Sequence, residues 1–199
     1  MKLINEDQYK FPIVKFTYNA YNKILDLINA TNLEIAWLGV VTEIEPGEYL
    51  VIDILVYPQI VDATNVESDD DKYPQWLMDV PNNTFNKLRL QGHSHVDMHV
   101  SPSANDKQNV RDFITQIQVN DYYIFMIINK DEDIHMTIVD KRQNVIFQDN
   151  EIEIELPEKV NSWADRDIEK YVSRRPVKVR RSLNNDLIDN HGNIWEVNK

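Results

Sequence analysis

Between residues 17 and 32, apolar side chains recur at Tyr21, Ile24, Leu25, Leu27 and Ile28, the three-and-four spacing that lines one face of a helix. LEIAWLGVV follows, short and almost wholly apolar, as a strand covered on both faces is. After a turn signal at Pro46-Gly47, GEYLVIDILVYPQIV reads as a second strand. ESDDDKYP then reads as an exposed acidic loop, and Trp76, Leu77, Val80 and Phe85 suggest a short helix whose length Pro81 limits. LRLQGHSH is a strand with two histidines at its end. SANDKQNVRDFITQIQ opens on a serine and sets Val110, Phe113, Ile114 and Ile117 along one helical face. YYIFMIINK, DIHMTIVDK and NVIFQDNEIEIEL complete a run of strands joined by tight turns. Helices and strands are interspersed without a regular βαβ rhythm, which predicts an α/β (α+β) fold: a mixed sheet flanked by helices.

The pattern changes after Leu156. Residues 162–175, SWADRDIEKYVSRR, predict one helix, and the residues beyond them have little periodicity. The chain therefore divides into a domain at 1–156 and a helical, basic extension at 157–199. Charge divides in the same place. The net charge is −12, but residues 1–155 carry 12 Lys and Arg against 26 Asp and Glu, or −14, while 156–199 carry 9 against 7, or +2. Such an acidic body disfavours nucleic acid as a partner, because that affinity comes from neutralising phosphates. The cluster Arg174, Arg175, Lys178, Arg180 and Arg181 reads as a solvated tail or as a docking segment for an acidic partner.

Composition narrows the chemistry further. A hydrophobic content of 42% with four tryptophans fits a packed core. No apolar run approaches the roughly 20 residues that span a bilayer, and MKLINEDQYK lacks the apolar stretch of a secretory signal. A cytoplasmic protein without a membrane partner is expected. Cysteine is absent, which removes disulfides, cysteine nucleophiles and thiolate metal sites. Any metal must rest on histidine and carboxylate.

Residues 91–106, QGHSHVDMHVSPSAND, hold three of the five histidines. His93 and His95 stand two apart, so on a strand they point to the same face. Ser103 and Asp106 have the S-x-x-D form of a helix capping box. Two imidazoles from a strand end and a carboxylate from the first turn of a helix make three ligands with a fourth position left open, the composition of a catalytic zinc site. A plainer arrangement uses the same residues: the histidines only end the strand, and Ser103 with Asp106 only cap the helix. A rival cluster of His93, His95, Asp97 and His99 would form if the strand ran on, although Ser101-Pro102 implies a loop and leaves His99 at the rim. His135 falls in a strand pattern and reads as a packed or surface histidine.

H-x-H, seven residues, then S-x-x-D resembles the signature of the JAMM (MPN-plus, JAB-type) zinc metalloproteases. Glu34, at the head of EIAWLG, fits the slot of the family's glutamate ahead of an apolar strand ending in glycine. The resemblance spans roughly residues 17 to 140 in order of elements and implies an MPN/JAB-like sheet. By the same token His93, His95 and Asp106 would hold Zn2+, Glu34 would serve as general base and acid, and Ser103 would steady the oxyanion. The activity implied is hydrolysis of a peptide or isopeptide bond, with a protein or peptide substrate that in this family is often ubiquitin-like. The richness in Asn, Asp, Lys and Ile points to a bacterial or phage member. Two departures stand out. Relatives usually carry proline after the second histidine, where this chain has Val96, and nothing here could build the second zinc site of some deubiquitinating relatives. The competing expectation is an interaction or assembly module that keeps the fold and a metal without turnover.

Overall fold

The computed structural model describes residues 11–62, 65–116, 121–157, 180–181, 187–188 and 194–195. It divides into two compact units, Met1–Glu158 and Lys159–Lys199. In chain order the first unit runs β1 (Ile13–Phe16), α1 (Tyr18–Ala30), β2 (Ala36–Glu45), β3 (Glu48–Leu55), β4 (Gln59–Val61), β5 (Val66–Ser68), α2 (Tyr73–Asp79), α3 (Asn82–Phe85), β6 (Leu88–Ser94), α4 (Ala104–Gln116), β7 (Tyr122–Ile128), β8 (Ile134–Asp140), β9 (Val145–Gln148) and β10 (Glu153–Glu155). Eight strands form one mixed sheet in the order β10-β1-β3-β2-β6-β7-β8-β9, and β4 pairs with β5 alone. The fold is thus mixed α/β, as the interspersed periodicities predict. Among the described residues no helix is long and apolar enough to cross a membrane.

Alternation along the strands assigns the two faces. Ile124, Met126 and Ile128 of β7 join Tyr21, Ile24 and Ile28 of α1 in the main core. Thr17 caps that helix by accepting the Ala20 N–H at 3.2 Å. Tyr123 and Phe125 point the other way, against Phe113 of α4, with ring centroids 4.1 and 5.2 Å away. Strand β2 serves both sides. Trp37 and Val41 enter the main core, while Ala36, Leu38 and Val40 pack with Tyr57 and Leu88 in a smaller cluster that Trp76 and Leu77 of α2 flank. That is why LEIAWLGVV reads as continuously apolar.

Several boundaries differ from the expectation. GEYLVIDILVYPQIV is not one strand: it breaks after Leu55, where Tyr57 turns inward to pack on Tyr73 and Trp76 and Pro58 has no N–H to give a ladder. The acidic segment ESDDDKYP is not all loop: Glu67 and Ser68 belong to β5. Pro81 separates two short helices rather than ending one. In the second unit β11 (Arg180–Arg181), β12 (Leu187–Ile188) and β13 (Ile194–Trp195) form a three-stranded antiparallel sheet, which the weak periodicity there did not suggest. The helix expected over residues 162–175, and Ile117 of the α4 face, lie outside the described residues.

Strand β6 lies between β2, antiparallel with Ala36 opposite His93, and β7, parallel with His93 opposite Ile127. The pair β6 and β7 is joined through α4, the crossover that parallel neighbours require. Gly92, beside His93, lies so close to the fully buried Trp37 that a Cβ there would fall on the indole ring. Gly92→Ala is therefore expected to destabilise the chain by about 1–3 kcal/mol, the usual cost of overpacking. Urea unfolding measures this, and an unchanged midpoint would show that the ring has room to move.

Candidate metal centre

Strand β6 delivers His93 from inside the sheet, and its pairing persists one residue past its end, where the His95 N–H donates to the Ile128 carbonyl at 2.9 Å. The two rings keep to one side, with centroids 5.1 Å apart. The chain then turns sharply. Val96 has φ +45°, a left-handed conformation rare for a β-branched residue, and the Met98 N–H closes back on the His95 carbonyl at 2.8 Å. The turn between β7 and β8 holds this bend: the Lys130 N–H donates to the Val96 carbonyl at 2.9 Å, and Asn129 Nδ2 to the Met98 carbonyl at 3.2 Å. Asn129 is buried and tied in turn to Asp133.

The bend brings the His99 carbonyl 2.8 Å from His95 Nδ1. A carbonyl only accepts, so Nδ1 carries the proton there and Nε2 presents its lone pair to the site. A backbone acceptor fixing a ring this way is the usual partner of a metal-binding histidine. Because β6 ends at Ser94 and the chain turns at Val96, the rival cluster of His93, His95, Asp97 and His99 does not assemble. His99 acts through its backbone carbonyl and is among the residues lining the cavity.

Asp106 arrives from the first turn of α4. The capping box is reciprocal: the Ser103 N–H donates to Asp106 Oδ2 at 2.7 Å, and the Asp106 N–H to Ser103 Oγ at 3.1 Å. Asp106 Oδ1 lies 3.3 Å from His93 Nε2 and Oδ2 lies 3.7 Å from His95 Nε2. Within the described residues this trio is the one group whose candidate ligand atoms all fall within 4.8 Å of one another. Ligands 2.0–2.1 Å from a tetrahedral ion stand about 3.4 Å apart, so the donor set fits zinc in both chemistry and spacing. Protonation fits as well. Burial pushes the His93 imidazole down to about 4, keeping it neutral. Burial opposes ionisation of Asp106, but the neighbouring His95 imidazole and the contacts from Ser103 outweigh it and hold the carboxyl well below its ordinary range. The Asp106 carboxylate beside its Nε2 raises His95, against the burial that lowers it.

Glu34 lies two residues ahead of β2 rather than on the strand, and is 4% exposed. Its N–H donates to the Asp62 carbonyl at 3.0 Å. Ser94, the residue between the two histidines, clasps its neighbour: Ser94 Oγ accepts the Ile35 N–H at 3.0 Å, and the Ser94 N–H donates to the Ile35 carbonyl at 2.9 Å. The Gln59 side chain grips Ala36, accepting its N–H at 2.8 Å and donating to its carbonyl at 3.0 Å. Burial, then the nearby Asp106 charge, raise the Glu34 carboxyl, with His95 working the other way. A cavity of about 350 Å³ is lined by Glu34, His93, His95, Ser103 and Asp106 together. Ser103 is exposed, and its Oγ accepts the Asp106 N–H. Glu43, the other carboxylate near the first apolar strand, is bound to Arg142 at 2.6 and 3.0 Å and takes no part.

Sequence reasoning missed Asn129, Gln59 and the His99 carbonyl, which act through backbone contacts that leave no side-chain pattern. His135 is a packed histidine, with Nδ1 2.6 Å from Asp149 Oδ1.

No protein-family model matches the chain, and no curated protein matches it. Among solved structures, the solution structure of a protein from Desulfitobacterium hafniense aligns with a TM-score of 0.50 at 17% identity, over 75% of this chain and 97% of that one. Likeness at that identity speaks for the fold alone.

An ion held by this trio competes with a proton for His95 Nε2. His95 is raised above 6.5, so as pH falls through that raised value the proton gains, and zinc affinity is expected to drop about tenfold for each unit below it. Zinc retained after dialysis at stepped pH checks the slope. Retention independent of pH between 8 and 5 would place the ion elsewhere.

Proposed function

We propose that the chain is a zinc-dependent metallopeptidase of the JAMM type, hydrolysing a peptide or isopeptide bond in a protein or peptide substrate, with the tail of a ubiquitin-like protein as one candidate. The observation that carries this reading is the convergence of His93, His95 and Asp106 with the buried Glu34 in one cavity, in the arrangement that the H-x-H and S-x-x-D resemblance implies. A His, His, Asp set leaves a tetrahedral ion one open position.

Zinc held there would supply a water of pKa near 7 and a Lewis acid for the substrate carbonyl. Glu34 takes the proton of the attacking water and returns it to the leaving amine. Its raised carboxyl suits both steps, since proton transfer is most effective when the group titrates near the working pH. The clasp from Ser94 and the grip of Gln59 fix the backbone immediately after Glu34. Ser103 donates its hydroxyl to the oxygen on which charge develops. His93 and His95 stay neutral as ligands, the latter oriented by the His99 carbonyl.

Elemental mass spectrometry of the purified chain is expected to find one zinc, lost in both His95→Ala and Asp106→Ala. Glu34→Gln is expected to keep the zinc and lose about 10²–10⁴ in turnover, the usual worth of a general acid and base. Undiminished turnover in Glu34→Gln would remove that residue from the mechanism. Zinc bound by a chain that cleaves no peptide or ubiquitin-like fusion would make it an assembly module instead.

A further inference from the structure

His93 and Asp106 stand where two cavities meet. One is the chamber shared with Glu34. The other, of about 390 Å³, continues from the same two residues between α4 and the outer face of β6 to β9. Its size falls in the range of pockets that take small ligands or side chains, about 300–1,000 Å³. The two differ in character. Val110 and Ile114 from α4, Phe125 from β7 and Ile146 from β9 give the second an apolar wall. Lys107 and Arg111, one helical turn apart on α4, also line it and are exposed. Among the described residues neither has an ion-pair partner. Two cations left over at a cleft are unusual in a body that carries −14. His135, which also lines the cavity, is already engaged by Asp149.

We infer that this cleft receives the part of the substrate beside the scissile bond, and that this part joins a bulky apolar side chain to a carboxylate. The carboxylate belongs either to an acidic side chain or to a free chain end. The apolar wall takes the side chain out of water, and Lys107 and Arg111 select the negative charge and exclude the basic segments that the rest of this acidic surface attracts. The inference rests on the hydrolase reading, because it places the cleft's occupant next to the bond that is cut.

Binding and cleavage separate the two. Zinc-loaded Glu34→Gln chain is titrated by fluorescence anisotropy with fluorescein-labelled Gly-Gly-Leu-Glu amide, Gly-Gly-Ser-Glu amide, Gly-Gly-Leu-Gln amide and Gly-Gly-Leu free acid. The Leu-Glu peptide is expected to bind about tenfold or more tightly than Ser-Glu, from burial of the leucine. Over Leu-Gln it is expected to gain roughly 2- to 5-fold per cation, an amount that salt reduces. Lys107→Glu with Arg111→Glu, both at exposed positions that leave the fold intact, is expected to abolish the preference for the acid and keep that for leucine. Tightest binding of the free acid identifies a chain terminus, and tightest binding of Leu-Glu amide an acidic side chain. Equal binding of all four, binding of none, or an acid preference that survives the charge reversal would overturn the inference. Wild-type chain that cuts these peptides without regard to leucine or carboxylate would also overturn it, leaving the hydrolase reading in place. Selective binding without cleavage would keep the cleft and reject the hydrolase.

Discussion

The site depends on two hydrogen bonds between Ser94 and Ile35. They join a strand end to a loop about sixty residues earlier in the chain, and on either side of that joint stand the groups whose relative position matters: His93 and His95 flank the serine, and Glu34 precedes the isoleucine. Ser94 is 1% exposed, so water does not compete for its hydroxyl and the cost of leaving either partner unsatisfied is high. A contact of this kind fixes the backbone that carries the carboxylate against the strand that carries the two imidazoles. The remaining ligand comes by a separate route, on the first turn of the helix that crosses over between parallel β6 and β7. The carboxyl end of a strand, where such a crossover departs, is the usual place for sites in open α/β sheets.

Electrostatics gives the arrangement its direction. Glu34 and Asp106 bring two carboxyls into one chamber, with His93 held neutral beside them. Acidic groups sequestered from water are costly unless a cation or hydrogen bonds compensate. Asp106 is compensated by His95, Ser103 and the start of its own helix, whose N-terminal dipole favours negative charge. Glu34 has less to rely on, and its carboxyl is raised accordingly. A cation at the trio would lower the cost for both. The same carboxyls that hold an ion therefore set up the proton acceptor beside it.

What was legible in the sequence was local. The period of two that puts His93 and His95 on one side and the reach of Ser103 to Asp106 both lie within a few residues. The interrupted helical stripe of α1 and the doubly buried run of β2 likewise follow from neighbours in sequence. Glu34 could be named only through a resemblance, because its place depends on Ser94, Gln59 and Asp62, none close to it in the chain. The bend after His95 was beyond reach for a related reason. Val96 is a poor residue for a left-handed turn, and nothing near it announces one; the support comes from Asn129 and Lys130. The break after Leu55 was hidden because Tyr57 has the β propensity of a strand residue, and only its packing on α2 takes it out of the ladder.

Strand β10 lies beside β1, with Ile13 opposite Glu153. Among the described residues, the first and last strands of the unit are thus neighbours, in parallel register, across about 140 residues of intervening chain. Closing so long a loop carries an entropic cost that local contacts do not repay. On the ribosome, β1 must wait for nearly the whole unit to be made before this partner exists. Until then its β10-facing edge is an open backbone ladder able to pair with another chain, so the nascent protein carries a site of misassociation at the edge of the sheet remote from β9.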